Sequence, residues 1–402
     1  MEIEEALSTL EAGLLPLEES EICPLAKALG RVTSHDIYAP YNVPPFPKSA
    51  MDGYALRHSD SAEATKEHPV ILPVRGKLFA GDWTEQEAQG GTAVRVMTGS
   101  YIPKGYDCVV RQEDTDYGEE RVKIFSPAKK YQNYCAVGED IKKGSLILKK
   151  GTRITPLHIG LLASMGLDSL QVFRPLRVSL LATGSELMEA GKPLQKGKIY
   201  ASISPLIEAK LSMLPVQLVR SEIVEDDEAL IQEKIESSAL DSDILITTGG
   251  LSVGKKDYIP AALARLGAKI LFSKVNIQPG TPTTAALLKK TLLLSLSGNP
   301  YAALVNFDIY FYHALSAFFR CQSFLPQRKK AILQSAYTKK NRMRRFVRAF
   351  YGDGKVFLPV QVHASSVIAN LLECNCYIDF PTESEAKEGS LVTVLMMQGS
   401  FQ

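Results

Sequence analysis

The sequence has almost no net charge. Its 46 Lys and Arg stand against 44 Asp and Glu, leaving +2. A nucleic-acid binder would show a basic excess in at least one domain, so no nucleic-acid partner is expected. A charged-then-apolar leader is also missing. The start, Met1-Glu2-Ile3-Glu4-Glu5, is acidic, so no secretory signal is expected and the cytoplasm is the expected compartment. Apolar runs fit for a bilayer are scarce. Asn299 to Phe319 comes nearest, but Asn306, Asp308 and His313 within it would be costly in lipid, so a buried core helix is expected and no membrane association. Cysteine is sparse and scattered: Cys23, Cys108, Cys135, Cys321, Cys374 and Cys376. A chain of this size needs no staples, and free thiols are the default. Cys374-Asn375-Cys376 is the only close pair. With no His or second pair beside it, zinc is not expected. In a strand the two cysteines would share a face, as small side chains on a core.

What is present is an ordinary globular balance. The chain has 402 residues, 45% hydrophobic and 22% charged, enough for more than one core. Four stretches are expected. Residues 1–43, joined by 137–173, form an elongated N-terminal part with helices over Glu4 to Leu15 and Leu25 to Leu29. Thr155-Pro156 opens another, from Leu157 to Met165, that stops at Gly166. Residues 44–136 are dense in Pro, Gly and short runs such as Val70-Ile71-Leu72 and Cys108-Val109-Val110, which predict an inserted small β domain. Residues 322–402 are again β-like, with strands over Ala331 to Tyr337, Phe346 to Phe350, Val356 to Val362 and Leu391 to Met396. A small β-barrel or sandwich is expected, with the basic run Lys339, Lys340, Arg342, Arg344, Arg345, Arg348 as a solvated strand edge.

The stretch 174–321 is the clearest. Strands over Arg177 to Ala182, Val216 to Val219, Asp243 to Ile246, Lys269 to Val275 and Leu292 to Leu296 alternate with helices. The helices run from Ser204-Pro205 to Met213, from Asp227 to Ile235, from Tyr258 to Leu266 and onward from Asn299-Pro300. Continuous apolar strands between helices predict a parallel sheet covered on both faces, so the fold class is multidomain α/β. Ligands of such sheets sit at the carboxyl ends of the strands.

Four turns fall at those ends: Thr183-Gly184-Ser185-Glu186, Thr247-Thr248-Gly249-Gly250 running on to Ser252 and Gly254, Gln278-Pro279-Gly280-Thr281-Pro282, and Ser297-Gly298-Asn299-Pro300. Glycine lets the backbone approach a ligand, and a following helix offers unpaired N–H groups at its positive end. A phosphate-bearing ligand is therefore expected. Glu186, Asp226 and Asp257 stand near these turns, and carboxylates beside a polyphosphate usually mean a magnesium ion. A helix N-cap is an equally simple role for Asp226. In the β stretch, Ser49-Ala50-Met51-Asp52-Gly53-Tyr54-Ala55 and Arg95-Val96-Met97-Thr98-Gly99 read, on residue chemistry alone, only as loops.

These motifs, with Gly138-Glu139-Asp140-Ile141, Thr183-Gly184-Ser185-Glu186-Leu187, Gly249-Gly250-Leu251-Ser252-Val253-Gly254, Asp257-Tyr258 and Gly298-Asn299-Pro300, occur in an order that resembles the molybdopterin molybdenumtransferase family, which includes the gephyrin E domain. The resemblance spans nearly the whole chain. It implies a transferase that converts adenylylated molybdopterin and molybdate to molybdenum cofactor and AMP with Mg2+. It also implies a homodimer with an active site shared between subunits. By that likeness Asp52, Glu186 and Asp257 would be catalytic. Glu186, Asp226 and Asp257 would hold the metal. Thr98, Thr183, Gly184, Ser202, Gly249, Gly250, Ser252, Gly280, Gly298 and Asn299 would bind the ligand.

The sequence also departs from the family pattern. Lysines flanking the Pro-Gly turn are here Gln278 and Thr281, and an Asp-Ser-Asn run is Ala201-Ser202-Ile203. An arginine is Cys135, and a proline is Ser297. Each charge-assisted contact is worth about 1.5–3 kcal/mol, so the lysines matter for anionic substrates. Lys274, Lys255 and Lys256 stand nearby. A binding or scaffold protein of the same fold with weakened catalysis is the alternative, and an α/β enzyme acting on another nucleotide is a third.

Overall fold

The computed structural model describes residues 1–250, 258–339, 342–359 and 366–399. Two compact units divide the chain. One comprises Met1–His35, Lys150–Pro156 and Ser169–Gln402; the other comprises Asp36–Lys149 and Leu157–Asp168.

The chain opens with helix α1 (Ile3–Gly13), whose Ile3, Ala6 and Leu10 recur at helical spacing and are buried. They join the core of the first unit, and the Gly13 position lies against Leu271. Leu25–Lys27 forms one 3-10 turn, not a longer helix.

The second unit is built on β1 (Gly53–Leu56), β2 (Val70–Leu78), β3 (Ala93–Val96), β4 (Cys108–Arg111) and β5 (Arg121–Ile124), in the order β4-β1-β3-β2-β5. Both faces of this sheet are covered. Tyr54, Leu56, Cys108 and Val110 lie on one face, and Ala55, Val94, Val96 and Val109 on the other. Helix α2 (Pro156–Ser164) ends before Gly166, whose φ of +71° suits a left-handed stop.

The first unit carries the α/β sheet. Its strands are β6 (Leu176–Thr183), β7 (Val216–Val224), β8 (Ile244–Thr248), β9 (Lys269–Ser273), β10 (Thr284–Leu288) and β11 (Thr291–Leu296), in the order β7-β6-β8-β11-β10-β9. Helices α3 (Ile203–Leu211), α4 (Glu228–Asp241) and α5 (Tyr258–Arg265) connect them. Alternate residues of each strand serve opposite cores. Val178, Leu180, Ile244 and Ile246 meet Ile207 of α3, while Leu181, Leu245 and Leu293 meet Ile231 and Ile235 of α4 and Ile259 of α5.

The expected all-parallel sheet is corrected at one strand. β10 runs antiparallel to both β11 and β9. Only Lys289 and Lys290 separate it from β11, and so short a connection can join only antiparallel strands. The expected strand Lys269 to Val275 stops at Ser273, because Lys274 takes a φ of +59°. The helix expected to be capped at Ser204-Pro205 starts two residues earlier, at Ile203, with Ser202 as N-cap.

From Asn299 the chain runs through α6 (Pro300–Asn306), a π turn at Phe307–Phe311 and α7 (Tyr312–Phe319). This segment is the buried core element expected. No helix among the described residues is long and apolar enough to cross a membrane. In the π turn sits Asp308, fully buried, paired with Lys210 of α3 at 2.9 Å and accepting from the Tyr377 hydroxyl at 2.8 Å.

The C-terminal strands β12 (Arg328–Leu333), β13 (Arg344–Gly352), β14 (Lys355–Phe357), β15 (Cys376–Phe380) and β16 (Leu391–Met396) close a small barrel, since β13 pairs with both β14 and β15. Of the strand expected over Val356 to Val362, residues 360–362 lie outside the described part. Cys374 and Cys376 are buried free thiols. The basic run is a solvated edge only in part: Lys339 and Arg342 are exposed, whereas Arg345 and Arg348 are buried. Arg344 makes a bidentate pair with Asp379 (2.6 and 2.7 Å) and also bonds Glu4. Arg348 is fully buried, with its guanidinium 3.9 Å from the Tyr301 ring centroid. Lys340 lies outside the described residues.

Candidate active site

Strands β6, β8 and β11 end side by side, and all four predicted turns meet there. They line one cleft of about 740 Å³ through Thr183, Gly184 and Glu186, then Thr248, Gly249 and Gly250, then Thr281 and Pro282, and finally Ser297, Gly298, Asn299 and Pro300. Asp226, Ser202 and Lys274 complete the wall. Gly249 is required twice over: its φ is +87°, and a Cβ there would collide with the Thr183 carbonyl oxygen. Its N–H already donates to the Leu296 carbonyl at 3.3 Å, so what it offers a ligand is space and not a donor. Gly298 passes close by, where a Cβ would lie 3.3 Å from the Gly249 Cα.

Two carboxylates face the cleft. Glu186 is exposed and Asp226 is half-buried. Asp226 does not cap the following helix; Asp227 does, its Oδ1 accepting from the Leu230 N–H at 2.8 Å. Asp226 instead makes a reciprocal pair with Ser185. The Ser185 N–H donates to Asp226 Oδ2 at 3.2 Å, and the Asp226 N–H donates to Ser185 Oγ at 3.1 Å. This locks the end of β7 to the Glu186 turn and leaves Asp226 Oδ1 outside that pair.

Ser202 and Asn299 are helix N-caps whose side chains make no capping hydrogen bond, and both line the cleft. Ser252 and Asp257, and the nearby Lys255 and Lys256, lie outside the described residues. Among the described residues, no group of three or more His, Cys, Asp or Glu is gathered as a metal cluster. Glu186 and Asp226 fit magnesium nonetheless, because that ion binds through one or two carboxylate oxygens and completes its shell with water and substrate phosphate.

A second cavity of about 450 Å³ adjoins the first and shares Thr281, Pro282, Ser297 and Asn299 with it. Gln278, Gly280, Tyr301, Lys339 and Arg345 also line it. Gly280 has a φ of +98°, and a Cβ on it would strike the Asn306 amide. Thr281 turns its hydroxyl to the Ile277 carbonyl at 2.6 Å. Gln278 is the direct sheet partner of Arg345, which brings a cation to the turn where the family's lysine is absent.

Asp52 and Thr98 are not in these walls. They meet each other in the second unit: Asp52 Oδ1 accepts from both the N–H and the hydroxyl of Thr98, each at 2.7 Å. Those bonds, the backbone one foremost, hold the Asp52 carboxyl below its usual range and therefore ionised. The motifs at 49–55 and 95–99 thus meet, and they are not only loops: residues 53–55 lie in β1 and residues 95–96 in β3.

Sequence reasoning missed the Ile199–Tyr200 half of a short ribbon at the cleft, the lysine beside it and two cations of the smaller cavity. Leu187–Met188 and Ile199–Tyr200 pair as a short ribbon whose Leu187, Ile199 and Tyr200 line the cleft. The Lys198 ammonium bonds the Ser185 carbonyl at its edge. Lys339 and Arg345 were visible only as part of a charge run, and nothing local tells which member of such a run faces a cavity.

Residues 1–166 match the family model for the MoeA N-terminal region (domain I and II), residues 179–317 that described as "Probable molybdopterin binding domain", and residues 330–397 the MoeA C-terminal region (domain IV). The molybdopterin molybdenumtransferase of Bacillus subtilis is 37% identical over 392 residues, covering 94% of this chain and 90% of that protein. The protein of the same name from Haemophilus influenzae is 39% identical over 290 residues, 72% of this chain and 70% of that one. The crystal structure of the molybdopterin biosynthesis MoeA protein from Pyrococcus horikoshii superposes with a TM-score of 0.86 at 28% identity, covering 98% of this chain and 99% of that one. The chain therefore belongs to the molybdopterin molybdenumtransferase (MoeA) family, transferases of molybdenum cofactor biosynthesis.

Proposed function

We propose that this protein inserts molybdate into adenylylated molybdopterin, with magnesium-dependent release of AMP. The observation that carries this reading is the meeting of four strand-end turns in one cleft that holds Glu186 and Asp226. The larger cavity suits the nucleotide-pterin ligand, with Thr183, Gly184, Gly249, Gly250, Ser202, Gly298 and Asn299 around it; Ser252, outside the described residues, would join them by the family resemblance alone. The smaller suits the oxyanion, with Gly280 giving it room and Arg345 and Lys339 giving it positive charge, while Lys274 lines the larger cavity.

In the reaction the phosphoanhydride between AMP and the pterin phosphate breaks, water supplies the new oxygen on the pterin phosphate, and AMP leaves with the bridging one; the two pterin thiols then bond to molybdenum, and the molybdate oxygen they replace leaves with their two protons as water. Glu186, Asp226 and Asp257 would hold the magnesium, whose charge offsets that on the phosphates. The chain's own part is mainly positioning. Asp226, fixed through Ser185, keeps an oxygen in place; the paired glycine turns bring the backbone close; the N-caps present Ser202 and Asn299.

The active protein would be a cytoplasmic homodimer in which Asp52 and Thr98 of one subunit meet the cleft of the other. A four-part organisation, 1–43 with 137–173, 44–136, 174–321 and 322–402, accords with this division of labour. Purified protein given adenylylated molybdopterin, molybdate and magnesium is expected to release AMP.

A weakened, scaffold-like member is the second reading. Ala201 and Ile203 favour it, because they put apolar groups in the cleft wall where the family has Asp and Asn. The double change Gln278→Lys plus Thr281→Lys separates the two readings. If Arg345 and Lys339 already serve the oxyanion, the molybdate concentration giving half-maximal AMP release changes less than about tenfold. A new charge-assisted contact worth about 1.5–3 kcal/mol would change it by roughly tenfold or more.

A further inference from the structure

We propose that Trp83 is the platform on which the pterin ring of the substrate stacks. This rests on the reading that the Asp52–Thr98 turn reaches a molybdopterin-bearing ligand. Trp83 is the only tryptophan in the chain, and more than half of its side chain is exposed. The indole is nonetheless held on three sides. Tyr101 stacks beneath it at 4.1 Å between centroids and 25° between planes. Phe46 meets it edge-on at 6.0 Å. Its Nε1–H donates to Glu85 Oε1 at 2.8 Å. An indole fixed in plane and left in water forgoes the burial that its size favours, but it can receive a flat ligand at little ordering cost.

The surroundings say which ligand. The turn that presents Trp83 is closed by the Phe79 N–H to Asp82 Oδ2 at 2.8 Å and by the Asp82 N–H to the Phe79 carbonyl at 3.0 Å. It lies against the Thr98 turn: the Met97 N–H donates to the Leu78 carbonyl at 3.1 Å, and a Cβ on Gly99 would touch Ala80 at 3.8 Å. Tyr101 is three residues beyond Thr98, the donor to Asp52. Met51 and Phe79 are exposed on the same group of loops. The result is an aromatic ledge carried on turns in contact with the one that holds the ionised Asp52 carboxylate. Asp52 Oδ1 is taken by Thr98, and Oδ2 accepts no hydrogen bond from the described residues.

That pairing favours a fused heteroaromatic ring with N–H groups at its edge. A 2-amino-4-oxopterin presents its amino group beside a ring N–H, two neighbouring donors for a carboxylate. Adenine presents its amino group beside a ring nitrogen acceptor, which a carboxylate repels. The occupant of the ledge is therefore the pterin end and not the adenine end of the substrate.

Because Trp83 is the sole tryptophan, its emission reports this ledge alone. The full-length protein is titrated separately with molybdopterin and with AMP, and binding is followed in parallel by thermal shift. Molybdopterin is expected to quench the emission saturably and AMP to leave it unchanged. Trp83→Ala is expected to weaken molybdopterin binding by roughly tenfold, the loss typical of one stacked base, and to raise KM more than it lowers kcat. Trp83→Phe should recover most of the affinity, and it also keeps the test valid if the alanine variant folds poorly. Molybdopterin that raises the melting temperature without quenching Trp83, and that binds Trp83→Phe and Trp83→Ala as tightly as the parent, overturns the platform and leaves the reading of the cleft intact. Quenching by AMP in place of molybdopterin overturns the choice of ring. Absence of a thermal shift with either ligand overturns the platform together with the reading on which it rests.

Discussion

Asp226 shows how one residue changes meaning between sequence and structure. It precedes a helix, and an N-cap would account for it fully. The cap falls instead to Asp227, and Asp226 turns to the cleft, where its reciprocal bonds with Ser185 fix it beside Glu186. Two adjacent aspartates at a helix start are indistinguishable by sequence; which one caps depends on where β7 ends. Asp226→Asn keeps the shape and can still accept from the Ser185 N–H, but it loses the charge. The magnesium concentration for half-maximal AMP release should rise by about 10–100-fold, as when a supporting group of a metal site is lost, with the melting temperature nearly unchanged. An unchanged magnesium requirement would remove Asp226 from the metal site. Gly249 is the simpler case: its position between strand and helix, its positive φ and its contact with Thr183 all follow from a tight turn.

The strands and helices of the α/β sheet were legible because their apolar residues repeat with the right periods. Ile231 and Ile235 share a face of α4, and Val178 and Leu181 face opposite cores. β10 was not, because Thr284–Leu288 is rich in Ala and Leu and its pairing comes from a two-residue link to β11. The basic run was misread for a different reason. The acidic partners of Arg344 are Asp379 and Glu4, 35 and 340 residues away, and no local pattern shows them. A comparable long-range pair sets the base of the sheet. Asp243, just before β8, accepts from Arg174 at 2.6 and 2.9 Å and from the Arg177 N–H at 2.7 Å. Burial pushes its carboxyl up, but these bonds outweigh burial and hold it below the usual range. A carboxyl depressed in the folded state stabilises above its unfolded pKa of about 3.9, and that stability is lost as pH falls through the folded value. Asp243→Asn should therefore cost about 2 kcal/mol at pH 7, on the scale of hydrogen bonds to charged groups. The difference in melting temperature from the parent should narrow once the pH falls below the usual carboxylate range. A difference that stays constant across that range would assign the effect to shape and not to charge.

At the scale of the molecule, the barrel and the α/β domain share one core that includes Tyr301, Phe346 and Tyr377, so the cavity containing Arg345 is built jointly by the two. In the proposed reading, Arg345 and Lys339 in this cavity take over the charge that lysines at 278 and 281 would supply. The same joint construction could not be foreseen from either segment alone, whereas the order of the glycine motifs along the chain made the family legible before any coordinates. The other half of the proposed site, Asp52 with Thr98, belongs to the second unit, and the loops around it carry the Trp83 ledge. The claim that joins these parts is chemical, and AMP release tests it most directly. Purified protein with adenylylated molybdopterin, molybdate and magnesium should release AMP in step with molybdenum cofactor formed, and omission of magnesium should abolish release. Tight binding of the adenylylated substrate with no AMP released under these conditions would contradict the account.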